Sequence, residues 1–215
     1  MDRPASRTTF VPGPRLAGWI QRFAASHGPL SELPDDAGLL LQADDGATAL
    51  LRAPWPADGR PGTGANPLER LASLATQERS LGIILVRRGG YAVGVASGGR
   101  IQSSKTGSRY VQSRTAAGGQ SQSRFARRRG NQTEALVESA AEQVARIFAG
   151  HRVEYLVPGG DKALVEQVLS QPVLKEFASR ARLAFLDIPD PKATVLAKAA
   201  VDACAVHIMV TDPPS

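Results

Sequence analysis

The sequence has few of the residues that build metal sites and disulfides. Its 215 residues contain one cysteine, Cys204, and three histidines. One thiol cannot close a disulfide within the chain, and the histidines lie too far apart in the sequence for any recognised metal-binding spacing. We therefore expect neither a disulfide-stapled secreted domain nor a zinc module, and we expect no metal or other cofactor.

Long hydrophobic runs are also missing. No apolar stretch approaches the ~18 residues that a membrane-spanning helix needs. The first fifteen residues, MDRPASRTTFVPGPR, have neither the hydrophobic core of a signal peptide nor a lipidation motif. Hydrophobic residues nevertheless make up 42% of the chain, which is a globular composition. These features predict a soluble cytoplasmic protein, with no membrane partner, that is a monomer.

Acidic residues are absent from one long segment. Between Arg79 and Thr133 the sequence has eleven lysines or arginines and no aspartate or glutamate, whereas the remaining residues hold 15 basic and 20 acidic side chains. The net charge of +6 therefore resides in this segment. Such a concentration favours a polyanionic partner over an incidentally basic surface.

Hydrophobic periodicity predicts a small α+β extension over residues 1–66. Apolar residues at helical spacing from Leu16 to Phe23 predict a helix that ends at His27-Gly28. Two extended runs, 38–43 and 48–54, flank Asp45-Gly46 and predict a hairpin. The Pro- and Gly-rich stretch 54–67 marks the predicted boundary to a second domain over residues 67–215.

The second domain begins with a helix and a three-stranded meander. Its helix is predicted at 67–77, and Gly-Gly pairs separate the strands 81–88, 91–97 and 100–111. A polar loop over 112–130 follows, and Asn131 with Glu134 resembles a capping box that starts a helix ending at Gly150. Strands at 153–157 and 183–188 then alternate with helices at 161–170, 173–181 and 192–204. The order β-β-β-α-β-α-β-α predicts an α/β fold with a mixed sheet covered by helices.

The loop 113–131, SRTAAGGQSQSRFARRRGN, is the most informative part of the sequence. Gly118-Gly119 allows the backbone to enter a narrow space. Gln120 and Gln122 each offer an amide donor and an amide acceptor. The arginines that follow can bind phosphates through bidentate guanidinium groups. Together these residues predict a loop that enters a phosphate-rich site and presents an amide.

This loop, placed between a strand and a long helix, resembles the catalytic loop of the middle domain of eukaryotic and archaeal release factors. A closer resemblance is to the Vms-type release-factor (VLRF) family and its actinobacterial branch, on the residues RYVQSRTAAGGQSQSRFARRRGNQ from Arg109 to Gln132. The essential glutamine of that family stands in Gly-Gly-x-Ser-Gln, so the resemblance assigns it to Gln122. This chain also has Gln at the x position, which leaves Gln120 as a second candidate.

The resemblance spans about residues 80–206 and implies the ribonuclease H-like layering of the release-factor middle domain. It further implies a peptidyl-tRNA hydrolase that frees peptide on stalled large ribosomal subunits, by ester hydrolysis or by cutting the tRNA near its CCA end. Two alternatives stay open: a non-catalytic RNA- or ribosome-binding module, and a metal-dependent nuclease, for which Asp161 and Asp187 are the only acidic pair near strand ends. The basic residues expected to contact RNA are Lys105, Arg109, Arg114, Arg124, Arg127, Arg128, Arg129 and Lys162.

The turn VPGGDK, residues 157–162, is a second candidate for phosphate binding. Two glycines precede a predicted helix, and Lys162 lies in its first turn, where backbone amides favour an anion. The spacing does not match a P-loop. The favoured interpretation is a strand-to-helix turn that needs glycine for its geometry and uses Asp161 as the N-cap.

Overall fold

A computed structural model of the chain describes residues 5–57, 59–108 and 121–214. The chain divides into two compact units, Met1–Glu78 with Val201–Ser215 and Arg79–Ala200. This division by contacts differs from the predicted segments 1–66 and 67–215, because the helix after residue 66 and the last strand of the chain lie in the same unit as the N-terminal segment.

The first unit is built on a five-stranded antiparallel sheet. Its strands are β1 (Ser6–Val11), β2 (Leu30–Asp35), β3 (Gly38–Ala43), β4 (Thr48–Arg52) and β10 (Val206–Thr211), in the order β1-β10-β4-β3-β2. Two helices belong to this unit, α1 (Leu16–His27) and α2 (Pro67–Ala75). The hydrophobic core lies on one face of the sheet, where Leu41, Leu51 and Ile208 pack in the same cluster as Leu16 and Phe23 of α1.

The structure confirms the predicted helix α1, its end at Gly28, the β3–β4 hairpin and the helix α2. The strands β1, β2 and β10 were not predicted. The strand β10 lies between β1 and β4 and pairs with both in antiparallel register, with Thr211 opposite Ser6 on one side and Thr48 on the other. The first unit is therefore closed by a strand that is more than 150 residues away in sequence from β4.

The second unit is built on a mixed sheet in the order β7-β6-β5-β8-β9. The strands β5 (Ser80–Arg87), β6 (Gly90–Ser97) and β7 (Arg100–Ser108) form the predicted antiparallel meander, and β8 (Tyr155–Gly160) runs parallel to β5. The helices are α3 (Ser121–Phe148), α4 (Lys162–Leu169), α5 (Lys175–Ala178) and α6 (Ala193–Ala203). This arrangement of helices and a mixed sheet confirms the predicted α/β fold class.

The longest helix, α3, differs from its prediction at its start. The prediction that Asn131 and Glu134 form a capping box is wrong, because the helix begins ten residues earlier, at Ser121, and both residues lie inside it. Arginine, alanine and glutamine dominate residues 121–130 and favour a helix, and Gly130 costs only about 1 kcal/mol there. The face that packs on the core consists of apolar residues at helical spacing, since Leu136, Ala140, Val144 and Phe148 are fully buried.

Two further elements are shorter than predicted. The helix expected at 173–181 is a 3-10 turn, Pro172–Leu174, followed by α5. The strand expected at 183–188 is reduced to β9 (Ala181–Arg182) and a single bridge between Leu186 and Gly159. The N–H of Leu186 donates to the carbonyl of Pro158 at 2.9 Å, but Pro158 has no N–H with which to extend a ladder on β8.

Candidate functional site: one edge of the second sheet

Four strand ends meet at one edge of the second sheet. Ser108, the last residue of β7, lies opposite Gly90 of β6, and Gly90 lies opposite Arg87 at the end of β5. On the other side of β5, Val86 lies opposite Gly160, the last residue of β8. Because β5 and β8 are parallel, this edge carries their carboxyl ends, where ligands of open α/β sheets commonly bind. The chain leaves β7 at this edge toward the predicted catalytic loop.

Basic and acidic side chains lie together at this edge. Arg87 and Arg88 line a pocket with Gly160, Asp161 and Asp190, and Arg88 is exposed. Nη2 of Arg87 donates to Oδ1 of Asp187 at 3.0 Å. Neither arginine was among the predicted site residues, because both lie inside the predicted strand 81–88. The signal was an Arg-Arg pair at the end of an apolar strand, directly before a Gly-Gly turn.

The turn from β8 into α4 has the predicted geometry. Gly160 has φ +100°, and a Cβ there would collide with the backbone carbonyl of Val86. The N–H of Asp161 donates to that same carbonyl at 2.7 Å, while Oδ1 of Asp161 accepts the N–H groups of Ala163 and Leu164. The structure thus confirms Asp161 as the N-cap of α4 and a glycine that the turn requires.

Lys162 follows this cap as the first residue of α4. It is exposed, and its Nζ lies 5.5 Å from the centre of the Phe185 ring, within the range of a cation–π contact. The aromatic ring holds the ammonium group beside the turn without neutralising it. Lys162 therefore adds a positive charge at the edge where β5 and β8 end.

Several of the predicted site residues lie outside the described part of the chain. They are Arg109, Arg114, Gly118, Gly119 and Gln120. Gln122 and Arg124 lie in the first turn of α3, and Arg129 lies two turns further along, but only their backbone is described. The start of α3 at Ser121 moves the partial positive charge of the helix N-terminus from the predicted Asn131 to a position beside Gln122.

Besides Lys162, three of the predicted RNA contacts are exposed at described positions. Arg127 and Arg128 lie on α3, and Lys105 lies on the edge strand β7. Among the described side chains of α3, the first that is buried is Leu136. Arg127 therefore stands ~13 Å along the helix axis from the point where α3 joins the core.

The C-terminal half of α3 is firmly packed. The hydroxyl groups of Ser139 and Tyr91 of β6 lie 3.2 Å apart, and Phe148 meets Phe177 of α5 edge-on with ring centres 5.4 Å apart. The helix is thus anchored at one end and carries its basic residues at the other.

Charge is divided unevenly between the two units. Residues 79–200 hold 19 basic and 9 acidic side chains, whereas the rest of the chain holds 7 and 11. The second unit is therefore strongly positive although the first is negative. This distribution favours contact between the second unit and a polyanion.

The carboxylates that a metal-dependent nuclease would need have other partners here. Asp161 caps α4, and Asp187 pairs with Arg87. In the described ranges, no three His, Cys, Asp or Glu side chains are grouped in a way that could hold a metal ion. Nor is any described helix both long enough and apolar enough to span a membrane.

Comparison with known proteins gives one match to a family. Residues 79–209 match the Actinobacteria/chloroflexi VLRF1 release factor family, and no curated protein matches the sequence. Members of such a family act as release factors in translation, which implies interaction with the ribosome and an activity of the hydrolase type. Because the match covers well over half of the sequence, the chain belongs to the Actinobacteria/chloroflexi VLRF1 release factor family.

Proposed function

We propose that this protein frees nascent peptides from peptidyl-tRNA on stalled large ribosomal subunits, with Gln122 as the essential residue. The observation that carries the proposal is the position of the Gly-Gly-x-Ser-Gln sequence in the fold. In the sequence it lies between β7, which ends at the candidate site with Ser108, and α3, whose first turn contains its final glutamine, Gln122. Family membership supports a release-factor role for this segment.

Gln122 acts in this proposal by positioning and not by proton transfer. An amide does not titrate near neutral pH, so it cannot serve as a general base. It can orient a water molecule against the ester that links the peptide to the terminal ribose, and nearby backbone N–H groups can stabilise the developing oxyanion. The N-terminus of α3 adds a partial positive charge beside Gln122 that favours the same transition state.

The basic groups of the second unit bind the RNA in this scheme. Arg127 and Arg128 contact phosphates near the loop, together with Arg109, Arg114, Arg124 and Arg129. Lys162, Arg87 and Arg88 extend this surface along the sheet edge. Fixing the tRNA end in this way lowers the entropic cost of bringing ester, water and amide together.

The test is single-turnover peptide release from purified large subunits that carry peptidyl-tRNA, with the RNA product sized in parallel. Gln122→Ala should lose at least ~100-fold in rate, the scale of losing one well-placed oxyanion donor, while Gln120→Ala should lose a few-fold. Gln122→Glu should also fail, because a carboxylate lacks the donor and repels phosphate. If Gln120→Ala does not release peptide while Gln122→Ala still does, the assignment of the essential role to Gln122 is wrong.

The RNA product decides between two reactions at the same site. Intact tRNA supports hydrolysis of the peptidyl ester, and tRNA shortened by its CCA end supports strand cleavage with the loop holding the phosphate. If wild-type protein binds the subunits but no variant of the loop changes peptide release, the protein acts as a binding module and the proposed catalytic role is wrong.

A further inference from the structure

A pocket in the first unit lies between helix α1 and the paired strands β1 and β10. Its walls include Trp19, Phe23 and His27 of α1, and Arg7 and Arg22 stand at its border. Its volume is about 380 Å³, within the range of small-molecule sites. None of the described residues that line it is acidic, although Asp212 and Asp45 bond to the lining residues Arg7 and His27. The pocket thus combines aromatic surface with positive charge in an otherwise acidic unit.

The aromatic wall consists of three rings on one face of α1. Trp19, Phe23 and His27 are spaced four residues apart, which places them on one side of a helix. The Trp19 and Phe23 rings are stacked with centres 5.3 Å apart and planes 9° apart, and the His27 ring lies 4.7 Å from that of Phe23. Phe23 is buried, whereas Trp19 is partly exposed. Trp19 therefore has ring surface that a ligand can reach.

His27 also contacts a carboxylate outside the lining of the pocket. Its Nδ1 lies 2.8 Å from Oδ2 of Asp45, and the other oxygen of Asp45 accepts the N–H of Ala47 at 2.9 Å. The Ala47 N–H, and after it His27, lowers the pKa of Asp45, so this carboxylate stays ionised. The contact with Asp45 helps to fix the aromatic wall before a ligand binds, which reduces the conformational entropy lost on binding.

The two arginines at the border differ in how they are engaged. Nη1 of Arg7 donates to Oδ1 of Asp212 at 2.7 Å, which fixes its guanidinium at the mouth of the pocket. Arg22 is exposed and makes no hydrogen bond or ion pair with any residue in the described part of the chain. Its guanidinium keeps its donors for a ligand, and a planar guanidinium binds phosphate or carboxylate in bidentate fashion.

We infer that this pocket binds a nucleotide 5′-phosphate unit, with the base against Trp19 and the phosphate on Arg22 and Arg7. A nucleotide matches both features, because its base offers a flat ring for stacking and its phosphate a charge for the arginines. The unit can be a free nucleotide or one nucleotide of a single-stranded RNA. The residues of this site belong to the first unit, whereas Gln122 belongs to the second, and the inference does not rest on the proposed catalytic role.

Tryptophan fluorescence of the full-length protein tests this inference. The chain has two tryptophans, and Trp55 is buried with its Nε1 donating to the carbonyl of Leu74, so quenching by a stacked base reports on Trp19. AMP should quench the emission saturably, while ribose 5-phosphate and inorganic phosphate should not. Binding of AMP and of a single-stranded hexaadenylate with similar affinity identifies a free nucleotide, and hexaadenylate binding at least ~10-fold tighter identifies RNA.

Variants followed by titration calorimetry with AMP complete the test. Arg22→Ala and Trp19→Leu should each weaken binding by about 10-fold or more, as expected for loss of a phosphate contact or of base stacking. Arg15→Ala is the matched control, because Arg15 is an exposed arginine of the same unit outside the pocket. Gln122→Ala should bind AMP as the wild type does. No saturable AMP or hexaadenylate binding, or equal affinities for Arg22→Ala and Arg15→Ala, would overturn the inference.

Discussion

Replacing Gly160 by alanine tests the geometry of the turn at the candidate site. At φ +100° a side chain costs about 1–2 kcal/mol. The new Cβ would also collide with the carbonyl oxygen of Val86, which is backbone inside the sheet and cannot rotate away. Relief of that collision would break the 2.7 Å hydrogen bond from Asp161, at about 1 kcal/mol. We therefore expect Gly160→Ala to lower the free energy of unfolding by ~2–3 kcal/mol.

Urea unfolding followed by far-UV circular dichroism measures this effect. Fluorescence is less suitable, because both tryptophans, Trp19 and Trp55, belong to the first unit. A loss of this size should move the unfolding midpoint of the second unit down by about 1–2 M urea. A Gly160→Ala protein whose unfolding free energy lies within ~0.5 kcal/mol of the parent would refute the reasoning, since strain of this kind exceeds the usual effect of surface substitutions.

Gly130→Ala is the matched control for this experiment. Gly130 lies inside α3, its φ is not in the positive region, and a Cβ there would meet no atom within 4 Å. The same substitution should therefore raise the unfolding free energy by about 0.5–1 kcal/mol, the usual gain of alanine over glycine in a helix. A destabilised Gly130→Ala protein would contradict a helix that continues through residue 130.

Three further predictions follow from described contacts. Asp161→Ala should lower the unfolding free energy by about 1 kcal/mol in urea titrations, and Asp161→Asn much less, because asparagine still caps a helix. Burial, and after it the charge of Arg52, lowers the pKa of His207 below its ordinary value of 6.5, so the folded protein disfavours the protonated imidazole. The stability that depends on neutral His207 is therefore fully present above pH 6.5 and is lost as the pH falls through the lower pKa of the folded state. The thermal unfolding midpoint of the parent protein should fall from pH 8 to pH 5, and that of His207→Gln should fall less. An equal dependence of the midpoint on pH in the two proteins would refute this. Replacing Arg127 and Arg128 by alanine should leave the fold intact and reduce the log–log salt slope of large-subunit binding by about one unit per arginine, whereas an unchanged slope would place the RNA contacts elsewhere.

The sequence predicts elements that local chemistry specifies. The meander β5–β7 follows from two Gly-Gly turns, and α4 follows from Asp161 and the glycines before it. The strand β10 was not predicted because its partners lie elsewhere in the chain, and no local pattern tells a strand which distant strand it will join. The start of α3 was misplaced because Gly130 and a plausible cap at Asn131 outweighed the helix-forming residues before them.

The candidate site likewise has a part that the sequence reveals and a part that depends on the fold. The Gly-Gly-x-Ser-Gln sequence and the arginine run are contiguous, so they can be recognised without a structure. The contribution of Arg87 and Arg88 depends on the parallel pairing of β5 with β8, which brings residues about 70 positions apart to one sheet edge. Parallel pairing of this kind has no short-range signal beyond two apolar strands separated by a helix.

The central place of β10 in the first sheet also has a consequence for synthesis of the chain. Between β4 and β10 the ribosome must add about 150 residues, which takes roughly 8–30 s at ordinary elongation rates. Until β10 is made, β4 has an unpaired edge. All the strands of the second unit are made before β10, so they can pair earlier. The second unit should therefore fold first, and the first unit should close only when Val206–Thr211 has emerged from the exit tunnel. A nascent chain of this protein thus passes through a period in which its second unit is folded and its first unit is not.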